Sequence, residues 1–336
     1  MFITTQHSHT IASSGYKQPR LRTGYEFVIG KRTPKLFSSA AEEDGSVVSV
    51  TDKGMVVRYA SGREVGLELG RLHGKAEGTV YPHDLVTTLT PGAKFKTGDI
   101  LSYNTKFFEP DFLNPKEVVL KVNDVVRTAF MENNLTHEDS CSISQSLGKR
   151  FETEVMKVKS FVVKFQQNLL EVVKVGTQVD PKTVLMIIED EITANTGAFS
   201  EDSLATLKRL SNAAPKAGVM GVVEKIEVFY HGDKRDMTAS IKKLADKSDQ
   251  DMAASAKSVN KPVVTGRVTD EYRVAGSPLE LDFAEVKLYI SVKAGTGVGD
   301  KSVFGHQMKS TIAEVVAEPM HTEGGELVEA TFGYRS

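Results

Sequence analysis

Two lysines eight positions apart, Lys301 and Lys309, flank His306 in the segment Gly295-Thr296-Gly297-Val298-Gly299-Asp300-Lys301-Ser302-Val303-Phe304-Gly305-His306-Gln307-Met308-Lys309. A lysine ammonium is a compact charge with three donor hydrogens, so such a pair suits phosphate oxygens. The first eight residues follow the β-branched run 286–292 and come close to a phosphate-binding loop, in which glycine amides cradle phosphates ahead of a Lys-Ser pair. The match breaks at Asp300, where such a loop needs glycine for close backbone approach and where a carboxylate repels phosphate. Few residues follow Ser302, and nothing upstream alternates strands with helices, so a nucleotide-hydrolysing sheet is set aside.

Glu138 and Asp139 form an adjacent carboxylate pair, read either as a solvated turn or as hard oxygen groups of the kind Mg²⁺ prefers. His137 precedes them without a second His or Cys at ligand spacing, and is expected to be an exposed turn histidine. Cys141 occupies an apolar position of a strand and is expected in the core. Between Tyr16 and Lys35 a basic run, Lys17, Arg20, Arg22, Lys31, Arg32 and Lys35, faces Glu26 alone. It reads either as a solvated surface segment or as a strip facing phosphates.

The elements that would position these groups are mostly strands. Residues 46–50, 55–59 and 65–69 alternate around glycine-containing turns and predict a three-stranded meander, with Gly54 and Gly62 supplying positive φ. Segments 91–101 and 175–185 resemble each other, each with a glycine turn, an apolar residue, a second turn and a buried strand, which suggests two small barrel-like units. Strands are expected over 221–230, 261–268 and 284–294. Residues 236–259 lack Gly and Pro and place Met237, Ile241, Leu244 and Met252 near one face, predicting an amphipathic helix.

The 336 residues carry 40% hydrophobic and 26% charged side chains, enough apolar material for a core and too much for a disordered chain. A net charge of −2 gives no global basic excess, so any nucleic-acid contact must come from local patches. No apolar run reaches membrane-spanning length, and the N-terminal residues lack the apolar stretch of a signal peptide. A single cysteine excludes an internal disulfide and a multi-thiolate zinc site, which points to a reducing compartment.

The two-lysine segment resembles the G-D-K-x-x-x-R-H-G-N-K signature of the β subunit of multisubunit DNA-dependent RNA polymerases, with Gly305, Gln307 and Met308 in place of Arg, Gly and Asn. The resemblance continues in order along the chain. Arg127-Thr128-Ala129-Phe130-Met131 followed by His137-Glu138-Asp139-Ser140-Cys141-Ser142-Ile143-Ser144 is similar to the family's R-V-A-F-M…F-E-D-S-I-x-x-S stretch. Pro215-Lys216-Ala217-Gly218-Val219-Met220-Gly221-Val222-Val223 resembles the P-x-G-V-x-G-x-V opening of the second half of the β flap, and residues 18–26 resemble P-L-V-G-T-G-x-E. Coverage runs from about Gln18 to Gly333, a central-to-late slice of a β subunit, beginning here at its own Met1 as in the split polymerases of large bacteriophages.

The resemblance implies a mainly β chain: a double-psi β-barrel with sandwich-barrel hybrid elements and an inserted flap containing an amphipathic helix. The implied parts are a basic N-terminal segment at 1–40, meander, hybrid and first barrel part at 41–150, the flap at 151–281, and the second barrel part with both lysines at 282–336. It implies that Lys301 and Lys309 contact phosphates of the RNA 3′ end or the incoming nucleotide. Glu138 and Asp139 would lie near nucleotide-borne Mg²⁺, held mainly by a β′-like partner. His306 corresponds to the motif histidine, as an orienting donor or as a packed barrel residue, and Arg20 and Arg22 are candidates for nucleic-acid contact. The triple-aspartate magnesium motif of β′ is missing from this sequence, so the chain is expected to act as a nucleotidyltransferase only inside a complex. The implied partners are β′-like and other β-like chains, template DNA, nascent RNA, nucleoside triphosphates and an initiation factor at the flap, in the bacterial host cytoplasm or the virion. The alternative is a degenerate β-like structural or regulatory protein of the virion, without catalysis.

Overall fold

A computed structural model describes residues 2–6, 9–10, 13–20, 22–76, 78–131, 133–189, 214–305, 308–317 and 320–333, with 2–6, 9–10 and 76 described by backbone alone. Strand makes up 45% and helix 12%, so the chain is mainly β. It divides into two units, residues 1–74, 81–155 and 293–336 in the first and 75–80 with 156–292 in the second. The strand Phe283–Ala294 is hydrogen-bonded along most of its length to the strand Gly221–His231.

In the first unit the meander forms as the alternation predicts, with Gly45–Val50, Gly54–Tyr59 and Glu64–Glu68 antiparallel and Val57 opposite both Val47 and Val65. Its buried side chains, among them Val47, Met55, Val57, Leu67 and Phe95, make one apolar cluster. The two turns differ from expectation in one respect. Gly62 takes a positive φ of 84°, but Gly54 does not; instead Thr51 Oγ1 accepts from the Gly54 N–H at 3.1 Å and closes that turn through a side chain.

The second sheet of this unit carries the two-lysine segment. Its strands run in the order Thr128–Phe130, Ala330–Phe332, Ser140–Ser144, Met308–Val316, Lys301–Phe304, Phe2–Gln6 and His9–Thr10. Among the described residues this ladder is an open path that does not close on itself. Two pairings in it are parallel, Thr128–Phe130 with Ala330–Phe332 and Ser140–Ser144 with Met308–Val316, so chain segments far apart in sequence are brought side by side. Helix α1 (Tyr25–Ile29) is short. Helix α2 (Gln145–Arg150) starts where the Ser144 hydroxyl accepts the Leu147 N–H at 3.2 Å. Gly148 within it is required, since a Cβ there would lie 2.6 Å from the Thr296 carbonyl oxygen.

In the second unit the sheet runs Gln178–Val179, Gly221–His231, Phe283–Ala294 and Thr153–Lys164. Val223, Val228, Tyr230, Val286, Leu288 and Ile290 line its inner face, and helix α3 (Ala239–Ser258) contributes Ile241 and Ala245 to the same core. The helix is shorter than the predicted 236–259. Lys234–Asp236 is a 3-10 turn and Met237, though buried, lies outside the helix. Its inner face also holds Asp249, whose carboxylate accepts from the Gly266 N–H (2.7 Å), the Tyr230 hydroxyl (2.9 Å) and the Lys234 ammonium (2.8 Å). Those bonds replace the water that burial removes. Residues 261–268 form no strand, contrary to expectation. Gly266 and Val268 exchange hydrogen bonds with Tyr230, making a single bridge at Arg267, and Val263 and Val264 stay exposed.

The similar segments 91–101 and 175–185 make the same hydrogen-bond exchange in their respective units. Gly92 N–H donates to the Val47 carbonyl at 2.8 Å and Val47 N–H to Ala93 at 2.9 Å, while Gly176 N–H donates to Val223 at 2.7 Å and Val223 N–H to Thr177 at 3.0 Å. The apolar residue that follows, Phe95 or Val179, pairs with a strand glycine, Gly45 or Gly221. Neither glycine can carry a side chain: a Cβ would lie 2.4 Å from the Arg58 oxygen in one case and 2.2 Å from the Ser291 oxygen in the other.

Candidate functional site

Lys301 and Lys309 sit on adjacent antiparallel strands, and Gly305, just past the first strand, takes a φ of 59°. Lys309 is directly opposite Val303, and Lys301 is opposite Thr311. By the alternation of a strand, Lys301, Val303, Lys309 and Thr311 share one face, and the two lysines are diagonal neighbours, a relation that places such residues about 7–8 Å apart. Both are exposed, whereas Ser302, Phe304 and Ser310 on the other face are buried. His306 lies outside the described residues, as does Gln307.

The acidic pair reaches this hairpin through its backbone. The Asp139 carbonyl accepts from the Thr311 N–H at 2.7 Å and from the Ser310 hydroxyl at 3.3 Å. Ser140 then pairs with Thr311 in the parallel ladder. The turn before it is built by its own side chains. Asn133 Oδ1 accepts from the Leu135 and Thr136 N–H groups, each at 2.8 Å, and the Ser140 hydroxyl donates to the His137 carbonyl at 2.8 Å. The geometry leaves Glu138 at a φ of 45°, the left-handed region that disfavours any residue with a Cβ. His137, Glu138 and Asp139 are all exposed. Among the described residues no group of three or more His, Cys, Asp or Glu is placed to hold a metal ion, so the two carboxylates alone are an incomplete ligand set.

Cys141 is fully buried, and burial pushes its thiol pKa upward. Beside it, Ser142 donates to Glu314 at 3.0 Å.

The basic strip divides into engaged and open cations. Arg22 is half-buried: its guanidinium lies 2.6 Å from Asp111 Oδ1, 2.9 Å from Gln18 Oε1 and 4.6 Å from the Phe112 ring centroid. Hydrogen bonding to Arg22 holds the Asp111 carboxyl below the usual carboxylate range. Lys17 faces Asp124 at 3.3 Å and Lys31 faces Glu117 at 3.5 Å. Arg20, Arg32 and Lys35 are exposed and make no ion pair among the described residues. The carboxylates that take up half of the strip come from residues 111–124, too far along the chain for local reading to find them.

Sequence reasoning also passed over Ser302 and Ser310. A signal was present, since each lysine is followed by a serine, and in a strand that spacing turns one side chain out and the next one in. Compared with known proteins, the chain matches no family model, and no curated protein matches it.

Proposed function

We propose that the chain is a β-like subunit of a multisubunit DNA-dependent RNA polymerase, supplying the β side of the active centre as a double-psi barrel, together with a flap. The supporting observation is that two lysines share one face of one hairpin, while the Asp139 backbone, the end of an acidic pair far away in sequence, is hydrogen-bonded to the same strand. In this reading Lys301 and Lys309 hold phosphate oxygens of the RNA 3′ end or the nucleotide and offset the charge that develops as pyrophosphate leaves. Magnesium supplied by a β′-like partner provides Lewis-acid chemistry. Glu138 and Asp139, too few to hold a cation alone, act at the margin of the nucleotide-borne ion through water or by orienting basic groups. Helix α3, which exposes Lys242, Lys243, Lys247 and Lys257, is the flap surface for an initiation factor. Template DNA and nascent RNA, other β-like chains and a bacterial or virion setting complete the proposal.

The second reading, a β-like structural or virion protein without catalysis, is favoured by Gly305, Gln307 and Met308 at positions where the resembling signature differs. Single-nucleotide addition on a preformed scaffold by the complex reconstituted with β′-like and β-like chains separates the two. Lys301→Ala and Lys309→Ala are each expected to lower the rate about a hundredfold while gel filtration shows the complex intact. Near wild-type addition by both variants hands the case to the structural reading.

A further inference from the structure

Ser302, Ser310 and Cys141 occupy core positions at which apolar side chains would add more burial: they are 0%, 3% and 0% exposed. They form a row. Cys141 Sγ lies 3.6 Å from Ser302 Oγ, Ser302 donates to the Ser310 carbonyl at 3.3 Å, and Ser310 donates to the Asp139 carbonyl at 3.3 Å. Buried hydroxyls cost desolvation unless they are bonded, and two neutral hydrogen bonds do little more than repay it, so stability alone does not explain the row. What the last bond secures is a strained turn, in which Glu138 holds a φ of 45°. The Asp139 carbonyl already takes the Thr311 N–H at 2.7 Å. Ser310, the neighbour of Lys309, adds a second donor to that same oxygen.

We propose that Ser310 is a positioning residue whose hydroxyl fixes the Glu138–Asp139 turn against the strand carrying Lys309, so that the acidic pair and the lysine pair keep one geometry as the nucleotide reacts. The proposal rests on the polymerase reading above. Removing the hydroxyl leaves the Thr311 N–H as the last donor to the Asp139 carbonyl, so that bond opens more often and the turn moves while the rest of the sheet stays in place. A displacement on the order of 1 Å costs up to about a hundredfold in rate.

Two measurements test it, with Ser302→Ala as the comparison because it deletes a core hydroxyl that does not touch Asp139. In the full chain, Ser310→Ala is expected to speed amide hydrogen exchange at Ser140 and Thr311 about tenfold while Ile312, bonded to Asp300, is unchanged. Unchanged exchange at Ser140 and Thr311 overturns the proposal. In the reconstituted complex, Ser310→Ala is expected to lower kcat of nucleotide addition about tenfold with KM for the nucleotide within about twofold, and to cost nothing further in a Lys309→Ala background. Ser302→Ala is expected near wild type, and an equal loss in Ser302→Ala and Ser310→Ala, a sign of general loosening, overturns the proposal. If Lys309→Ala is crippled and Ser310→Ala is not, the proposal alone fails. If Lys301→Ala and Lys309→Ala both add nucleotides normally, the polymerase reading fails and takes the proposal with it.

Discussion

The Arg22 guanidinium stands 2.6 Å from the Asp111 carboxylate, pinned between it and the Phe112 ring, which makes Arg22 a part of the fold before it can be a ligand for phosphate. Arg20, two residues earlier, is exposed and makes no ion pair among the described residues. The two therefore answer differently to substitution. If the strip faces template in the proposed complex, Arg20→Ala is expected to reduce the salt slope of template binding by about one counterion. Arg22→Ala is expected to lower the thermal midpoint more than Arg20→Ala, because it strands a buried carboxylate. A salt slope unchanged by Arg20→Ala assigns the strip to protein contacts or solvent.

The same pair sets a pH dependence. Asp111 has its folded pKa depressed by Arg22, so its contribution to stability is present above the unfolded carboxylate value of about 3.9 and is lost as pH falls through the lower, folded value. Arg22→Ala removes the largest cause of that depression and leaves the backbone N–H bonds of Leu113 and Asn114. Thermal melts between neutral pH and the acid range should show the variant losing less stability on acidification than the wild type; parallel pH profiles would count against the pair as the cause.

At Glu138 backbone strain and charge can be separated. Glycine adopts a φ of 45° without a Cβ clash, whereas alanine clashes as glutamate does. Glu138→Gly is therefore expected to be more stable than Glu138→Ala by about 1 kcal/mol. If the carboxylate acts at the site, both variants should lose nucleotide addition equally. An alanine variant as stable as the glycine one would show that the turn is not strained.

Asp249 anchors the second unit's core. Replacing it with alanine takes this acceptor from the Tyr230 hydroxyl and the Gly266 N–H and leaves the Lys234 ammonium with Asp246 alone. A loss of about 3 kcal/mol in chemical denaturation is expected, with faster amide exchange at Gly266. A variant within 1 kcal/mol of wild type, a margin typical of exposed positions, would show that water substitutes for the carboxylate.

The two strand glycines that pair with the repeated segments, Gly45 and Gly221, yield a matching prediction. Gly45→Ala and Gly221→Ala each drive a Cβ into a backbone oxygen, at 2.4 and 2.2 Å. Each is expected to destabilise by several kcal/mol, whereas Gly92→Ala, at a positive φ in open space, is expected to cost only about 1 kcal/mol. Denaturant melts of the three variants decide the order.

Local chemistry along the chain determined a good part of this protein. Alternation in 45–68 and the glycines of segments 91–101 and 175–185 specify strands and turns through short-range sterics, and the structure has them where the spacing put them. The amphipathic stretch gave a helix, trimmed at both ends. Residues 261–268 read as a strand from their β-branched run but remain without a ladder, because strand propensity needs a partner edge and Tyr230 supplies one bridge only. The tertiary structure decided what depends on distant pairings. It placed Lys301 and Lys309 on one face through the register of their antiparallel strands, brought Asp139 to Thr311 through a parallel ladder, and took Arg22 out of the basic strip by supplying Asp111. No local pattern encodes those contacts, since a parallel ladder or an ion pair between residues 89 apart depends on which surfaces the rest of the chain has left to be buried together.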